Sequence, residues 1–202
     1  MKPDICHIVE NATVTFTKKG GQGVLIRNQM ILTASHCIDI STEGEMALGD
    51  YYIEEINTSK GYFKVSPISL DPLSDIAILG GMDSQEFYDE FIQFEEYGRS
   101  TTPVKICRNK LEAGKGFTIF IYSHEKKWIT GNAWVGDSES EFIWFRADEP
   151  VKRGTSGSGI FNENGELVGI VSRVSELDFS GSAPRPLLAL PVWVCRNIYL
   201  KY

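Results

Sequence analysis

The sequence predicts an all-β protein built in two halves. Three observations carry this. Short runs rich in β-branched and aromatic residues recur from Thr13 to the C-terminal region, separated by glycine and polar turns. Asn164-Gly165 sits between the apolar runs ending at Phe161 and beginning at Leu167, a strong hairpin signal. Between the halves, Asp83–Tyr97 breaks the pattern with Glu, Asp, Phe and Tyr.

In chain order, Thr13–Thr17 and Gly23–Ile26 read as strands around a Lys18–Gly21 turn, and Met30–Ala34 as a buried run. Tyr51–Ile56, Tyr62–Ile68 and Ile76–Leu79 continue the pattern and close a first barrel. Phe87, Phe91 and Phe94 fall at i, i+4 and i+7, so part of the connecting segment is expected to be helical. In the second half Gly116–Tyr122, Lys127–Val135 and Glu141–Phe145 read as strands, and Leu188–Pro191 as the last one. Val192–Tyr202 is expected to form a short helix packing through Val194, Ile198 and Tyr202. The expected units are 1–82 for the first barrel, 83–103 for the connection, 104–191 for the second barrel and 192–202 for the helix.

With 202 residues, 42% hydrophobic and 11% aromatic, the chain can bury a core and is not expected to be disordered. A net charge of −7 argues against nucleic acid or an anionic membrane as partner. No run approaches a membrane span. Met1-Lys2-Pro3-Asp4 opens without an apolar segment, so no secretory signal is visible and a cytoplasmic location is the expectation.

Three motifs carry chemistry. Thr33-Ala34-Ser35-His36-Cys37 ends an apolar run in a histidine. Ser74-Asp75 opens another. Gly154-Thr155-Ser156-Gly157-Ser158-Gly159 lies between two more. A serine hydroxyl needs a base to become a nucleophile, the base needs a carboxylate to fix its tautomer, and the resulting oxyanion needs aligned N–H groups. His36, Asp75 and Ser156 supply the first three. Gly154 and Ser156 supply the N–H groups, since Gly154 carries no side chain to block the hole and Gly157 permits the turn away from the nucleophile. Ser156 rather than Ser158 is the expected nucleophile, because the glycine that completes the hole lies two residues before it. Taken singly, the glycine-rich stretch reads as a flexible loop, His36 as structural and Asp75 as a turn residue; their joint order reverses those readings. His7 and His124 are expected to face solvent. Cys37 is set aside as nucleophile because neighbouring strand residues point to opposite faces.

From Gly21 to the C-terminus the chain resembles the chymotrypsin/trypsin-like serine endopeptidases. Gly21-Gln22-Gly23-Val24-Leu25-Ile26 with Met30–Cys37 resembles the family's Cys-Gly-Gly-Ser-Leu-Ile and Val-Val-Ser-Ala-Ala-His-Cys elements. Ser74–Leu79 resembles Asp-Ile-Ala-Leu-Leu. Gly154–Gly159 resembles Gly-Asp-Ser-Gly-Gly-Pro in the Gly-x-Ser-Gly-Ser form of some viral and bacterial members. The resemblance implies two antiparallel six-stranded β-barrels with the site between them, a protein or peptide substrate and no cofactor or metal. It also implies that Ser172 hydrogen-bonds the aspartate and that the Ser172–Val174 backbone pairs with substrate as an added strand.

Against the family pattern, several positions depart. Thr155 stands where secreted members carry an aspartate that receives a new N-terminus. Ile8-Val9-Glu10 is only faintly similar to such a terminus and no basic residue precedes it, so zymogen cleavage of that kind is not expected; substrate or a regulatory protein partner would then order the loop. The specificity pocket floor falls at Pro150, with Asp148 and Glu149 beside it, while Lys152, Arg153 and Arg173 would suit an acidic group; Ala189 and Leu190 fall on the far wall. The preferred side chain stays open among these. Gly21 and Lys152 replace cysteines that members of oxidising compartments use, leaving Cys37 without its usual partner. Cys107 and Cys195 occupy positions bridged in some members and are expected to lie close together. Cys6 has no assigned role. The function expected is a serine endopeptidase acting through an acyl-enzyme, the alternative being a catalytically silent or partner-gated module that binds extended peptides.

Overall fold

The computed structural model describes residues 1–38 and 53–200, with side chains to residue 196. The first half is a closed six-stranded barrel. Its strands are β1 (Thr13–Phe16), β2 (Gln22–Ile26), β3 (Met30–Thr33), β4 (Glu54–Thr58), β5 (Gly61–Asp71) and β6 (Ile76–Gly80), paired in the order β1-β2-β3-β6-β5-β4. Every residue of β2 and β6 is buried, as in a strand covered on both faces. Of the strand expected at Tyr51–Ile56, Tyr51 and Tyr52 lie outside the described residues.

The second half curls into a half-barrel rather than a closed six-stranded one, and with the first half it makes the expected double barrel. It is an eight-stranded open sheet. Its strands are β7 (Lys105–Ile106), β8 (Phe117–Tyr122), β9 (Trp128–Trp134), β10 (Phe142–Ala147), β11 (Gly159–Phe161), β12 (Glu166–Ile170), β13 (Arg173–Val174) and β14 (Ser180–Pro184). The order is β13-β14-β10-β9-β8-β11-β12-β7. The two end strands are only two residues long, and β7 pairs in parallel with β12. Along β9 the burial alternates, with Ile129, Gly131 and Ala133 inward.

Among the described residues four α-helices surround the sheets: α1 (Pro3–Ala12), α2 (Tyr88–Ser100), α3 (Pro186–Ala189) and α4 (Val192–Leu200). Helix α1 was not expected. Its β-branched residues favour strands, but Pro3 opens the first turn, and Val9 and Ala12 are fully buried. Glu10 accepts a hydrogen bond from Trp128 Nε1 at 2.9 Å, tying α1 to β9. Helix α2 matches the Phe periodicity and buries Phe94 and Tyr97, with Tyr97 stacked on Phe63 at 4.9 Å.

The strand expected at Leu188–Pro191 is a correction. Pro186 starts the turn of α3 there, and the last strand is β14, whose Ser-Gly-Ser-Ala-Pro sequence carries no β-branched signal. Helix α4 buries Val194; the side chain of Ile198 and all of Tyr202 lie outside the described residues. The core of the first barrel runs on into Phe161, Leu167 and Ile170 of the second sheet, and Ile26 bridges Val104. The halves are therefore packed as one body with a crevice between them. Among the described residues no helix is long and apolar enough to cross a membrane.

Candidate active site

His36 and Asp75 are brought together by the pairing of β3 with β6, whose last register is Thr33 with Ala77. Beyond Thr33 the chain enters a 3-10 turn over Ser35–Cys37. In the turn between β5 and β6, Asp71 Oδ1 accepts hydrogen bonds from the N–H groups of Leu73 and Ser74, and this turn delivers Asp75 in the left-handed region at φ 53. Aspartate tolerates that conformation better than most residues.

The Asp75 carboxylate is fully engaged. Its Oδ2 meets His36 Nδ1 at 2.8 Å and accepts from Ser172 Oγ at 2.5 Å. Its Oδ1 accepts from Ser35 Oγ at 2.8 Å and from the His36 N–H at 3.1 Å. Burial raises the Asp75 pKa, but the hydrogen bonds from His36, Ser172 and Ser35 outweigh it and hold the carboxyl well below its usual range. His36 is pushed up to about 10, first by its bond to Asp75 and then by the neighbouring Cys37 thiol, against the lowering effect of burial. Its ring edge remains open to the crevice, the side chain being 47% exposed.

Ser156 lies in a turn clamped from both halves. Its carbonyl accepts from Gln22 N at 2.7 Å, and Gly157 N donates to Val171 O at 2.7 Å. Gly157, at φ +82, approaches so closely that a Cβ would collide with Gln22 O and Thr33 Oγ1. Ser156 is half-buried, and its hydroxyl makes no hydrogen bond among the described residues. Ser158, in contrast, is fully buried and its hydroxyl donates to Tyr122 O at 2.7 Å. Gly154 adopts φ +90, and neither its N–H nor that of Ser156 donates a hydrogen bond among the described residues.

A family model described as a trypsin-like peptidase domain matches residues 21–170. The chain belongs to this family of serine peptidases. No curated protein matches it in sequence. Among solved structures it resembles a serine endoprotease from Yersinia pestis, with a TM-score of 0.64 at 17% identity, covering 100% of this chain and 68% of the other. It also resembles the inactive form of the Rv3671c protease of M. tuberculosis, with a TM-score of 0.61 at 18% identity over 90% of this chain and 87% of the other. At these identities the likeness concerns the fold.

Other features of this trypsin-like peptidase domain follow from its geometry. A cavity of about 560 Å³ opens beside the imidazole, walled by His36, Ile38, Leu70, Pro72, Ser172 and Arg173. Pro150, Arg153, Val174 and Ala189 are not among its lining residues. Pro150 and Arg153 are exposed, and Asp148 beside Pro150 is tied to β9 by Thr130 at 2.6 Å. Ala189 ends α3 and packs on the first-barrel core. Val174 lies with Arg173 in β13, which among the described residues pairs only with β14 and forms one end of the sheet order.

Cysteine geometry gives one correction. His36 and Cys37 share a 3-10 turn, so strand alternation does not separate them; Cys37 is instead buried beneath Gly21, where a Cβ would lie 2.6 Å from its Sγ. Cys107 packs on the second core, where Asn162 Nδ2 donates to its Sγ, and Cys195 packs on the first, where its Sγ donates to the Leu190 carbonyl; all four cysteines are free.

Two contributors escaped sequence reasoning. Ser35 braces Asp75, and its one sequence signal is that it stands where the quoted family pattern has alanine. His124 is exposed as expected, yet its Nδ1 lies 3.2 Å from Thr155 Oγ1, a contact that an isolated polar turn does not announce.

Proposed function

We propose that this chain is a serine endopeptidase acting through an acyl-enzyme, with Ser156 as nucleophile, His36 as base and then acid, and Asp75 as the group that orients His36. The observation that carries the reading is the 2.8 Å contact of His36 Nδ1 with a carboxylate already held by Ser172 and Ser35. This fixes the proton on Nδ1 and leaves Nε2 as the face that takes a proton from a hydroxyl. The uncommitted N–H groups of Gly154 and Ser156 receive the oxyanion, each donor being worth on the order of 10²–10³ in kcat. Ser172, Arg173 and Val174 offer the substrate an open strand edge beside the cavity, in the manner of β-augmentation. Pro150, Arg153 and Ala189 have less support as substrate contacts.

Activation does not require a new N-terminal ammonium. Thr155 is fully buried and uncharged, and Ile8-Val9-Glu10 lies within α1 with Val9 buried, so a cut before Ile8 would break the helix. The test is cleavage of a peptide library by the chain with Met1 retained. Turnover that falls about 10⁴–10⁶-fold in Ser156→Ala supports the reading; strict dependence on removal of an N-terminal peptide contradicts it.

The partner-gated peptide-binding module is favoured by one observation, the lack of a hydrogen bond between Ser156 Oγ and the His36 ring among the described residues. Such bonds are often long or absent before substrate binds. Cleavage without any added partner excludes this module.

A further inference from the structure

Thr155 separates Gly154 and Ser156, the two residues proposed above to supply the oxyanion N–H groups, and it has no exposed surface. Its hydroxyl is held by one residue from another part of the fold. Thr155 Oγ1 accepts from the His124 backbone N–H at 3.4 Å and shares a hydrogen bond with His124 Nδ1 at 3.2 Å. The same imidazole lies against Gly154, where an added Cβ would stand 3.1 Å from His124 Cγ. One residue on, Glu125 Oε1 pairs with Lys152 Nζ at 2.8 Å. The turn between β8 and β9 therefore grips the chain from Lys152 to Thr155.

We propose that His124 is a positioning residue that holds the Gly154–Ser156 loop with its N–H groups directed at the oxyanion, in place of a buried charge pair at residue 155. The proposal rests on the peptidase reading above and assigns its activating contact to the protein's own β8–β9 turn. A buried hydroxyl must be satisfied. Accepting from the His124 N–H and donating its proton to Nδ1, with the ring proton on Nε2, satisfies Thr155 completely. The side chain then fixes the Cα between the two peptide planes. Gly154 at φ +90 has few steric restraints of its own, and the imidazole packed on it fills the space into which the Arg153–Gly154 peptide would otherwise turn. A turned peptide would swing its N–H away from the oxyanion.

Donors of this kind act in the transition state more than in the ground state, so their misplacement lowers kcat and spares KM. His124→Ala and Thr155→Val should each lower kcat roughly 10- to 100-fold with KM within about threefold. His124→Asn, which keeps a polar group at the Nδ1 position, should recover most of the loss. Independently of turnover, hydrogen exchange of the 153–157 amides should quicken in His124→Ala and be restored in His124→Asn. Thr155→Val preserves shape, so it stands in should His124→Ala fold poorly. The proposal is overturned if kcat stays within twofold of wild type in both variants, if the loss appears in KM alone, or if exchange over 153–157 is unchanged. A wild-type chain that neither cleaves peptides nor takes a fluorophosphonate defeats the peptidase reading instead, and the exchange comparison still decides whether His124 holds the loop.

Discussion

Ser172 Oγ donates to Asp75 Oδ2 at 2.5 Å across 97 residues of sequence, joining the second sheet to the first barrel at the carboxylate that orients His36. The bond makes the alignment of the imidazole depend on how the two halves dock. Ser172→Ala should lower kcat/KM by roughly 10–100-fold, the equivalent of one hydrogen bond to a charged group. Asp75→Asn should cost about 10⁴, because it presents the wrong tautomer. Steady-state kinetics on one peptide substrate, with circular dichroism to verify folding, checks both.

Activity should rise with pH through a limb centred above 6.5, the ordinary histidine value, because Asp75 and Cys37 stabilise the protonated ring of His36 and only the neutral ring accepts the serine proton. The stability signs follow from the same shifts. The raised His36 pKa contributes stability that is complete below 6.5 and is lost as pH rises through the raised value; the lowered Asp75 pKa contributes stability that is present above 3.8 and is lost as pH falls. The Tm difference between wild type and Asp75→Asn should therefore be largest between about pH 4 and 6.5 and shrink on both sides.

Gly157 is the point at which the Ser156 turn presses on the first barrel. Gly157→Ala would place a methyl against Gln22 O and Thr33 Oγ1 in a backbone conformation that side chains resist. The expected cost is at least about 1–3 kcal/mol, with loss of turnover as the turn is pushed off β2. Thermal denaturation and kinetics on the same preparation measure the two effects together.

Helix α2 is anchored by Phe94 and Tyr97 rather than by its acidic face, so Phe94→Ala should cost roughly 3–5 kcal/mol. At roughly 2–4 °C per kcal/mol, Tm should drop by about 10 °C, with kcat/KM nearly unchanged well below the transition. A kinetic defect at low temperature would show that the connection between the halves also shapes the site.

The site motifs were legible because each needs a local sequence. His36 closes an apolar strand, Asp75 follows a turn set by Asp71, and Ser156 needs Gly154 and Gly157 on either side. The first barrel was legible from the apolar runs of its fully buried β2 and β6. Strand β14 was not, since backbone pairing with β10 and β13 makes it a strand and its side chains carry no pattern. Helix α1 depends on tertiary burial of Val9 and Ala12 against its own β-branched composition. The hold of His124 on Thr155 spans 31 residues, and nothing local to either residue predicts it.

An activated hydroxyl on Ser156 is read most directly by mass spectrometry of the chain after exposure to a fluorophosphonate. One adduct is expected, on the peptide carrying Ser156, and none in His36→Ala. A chain that takes no adduct, or takes it at Ser158 or Cys37, would contradict it.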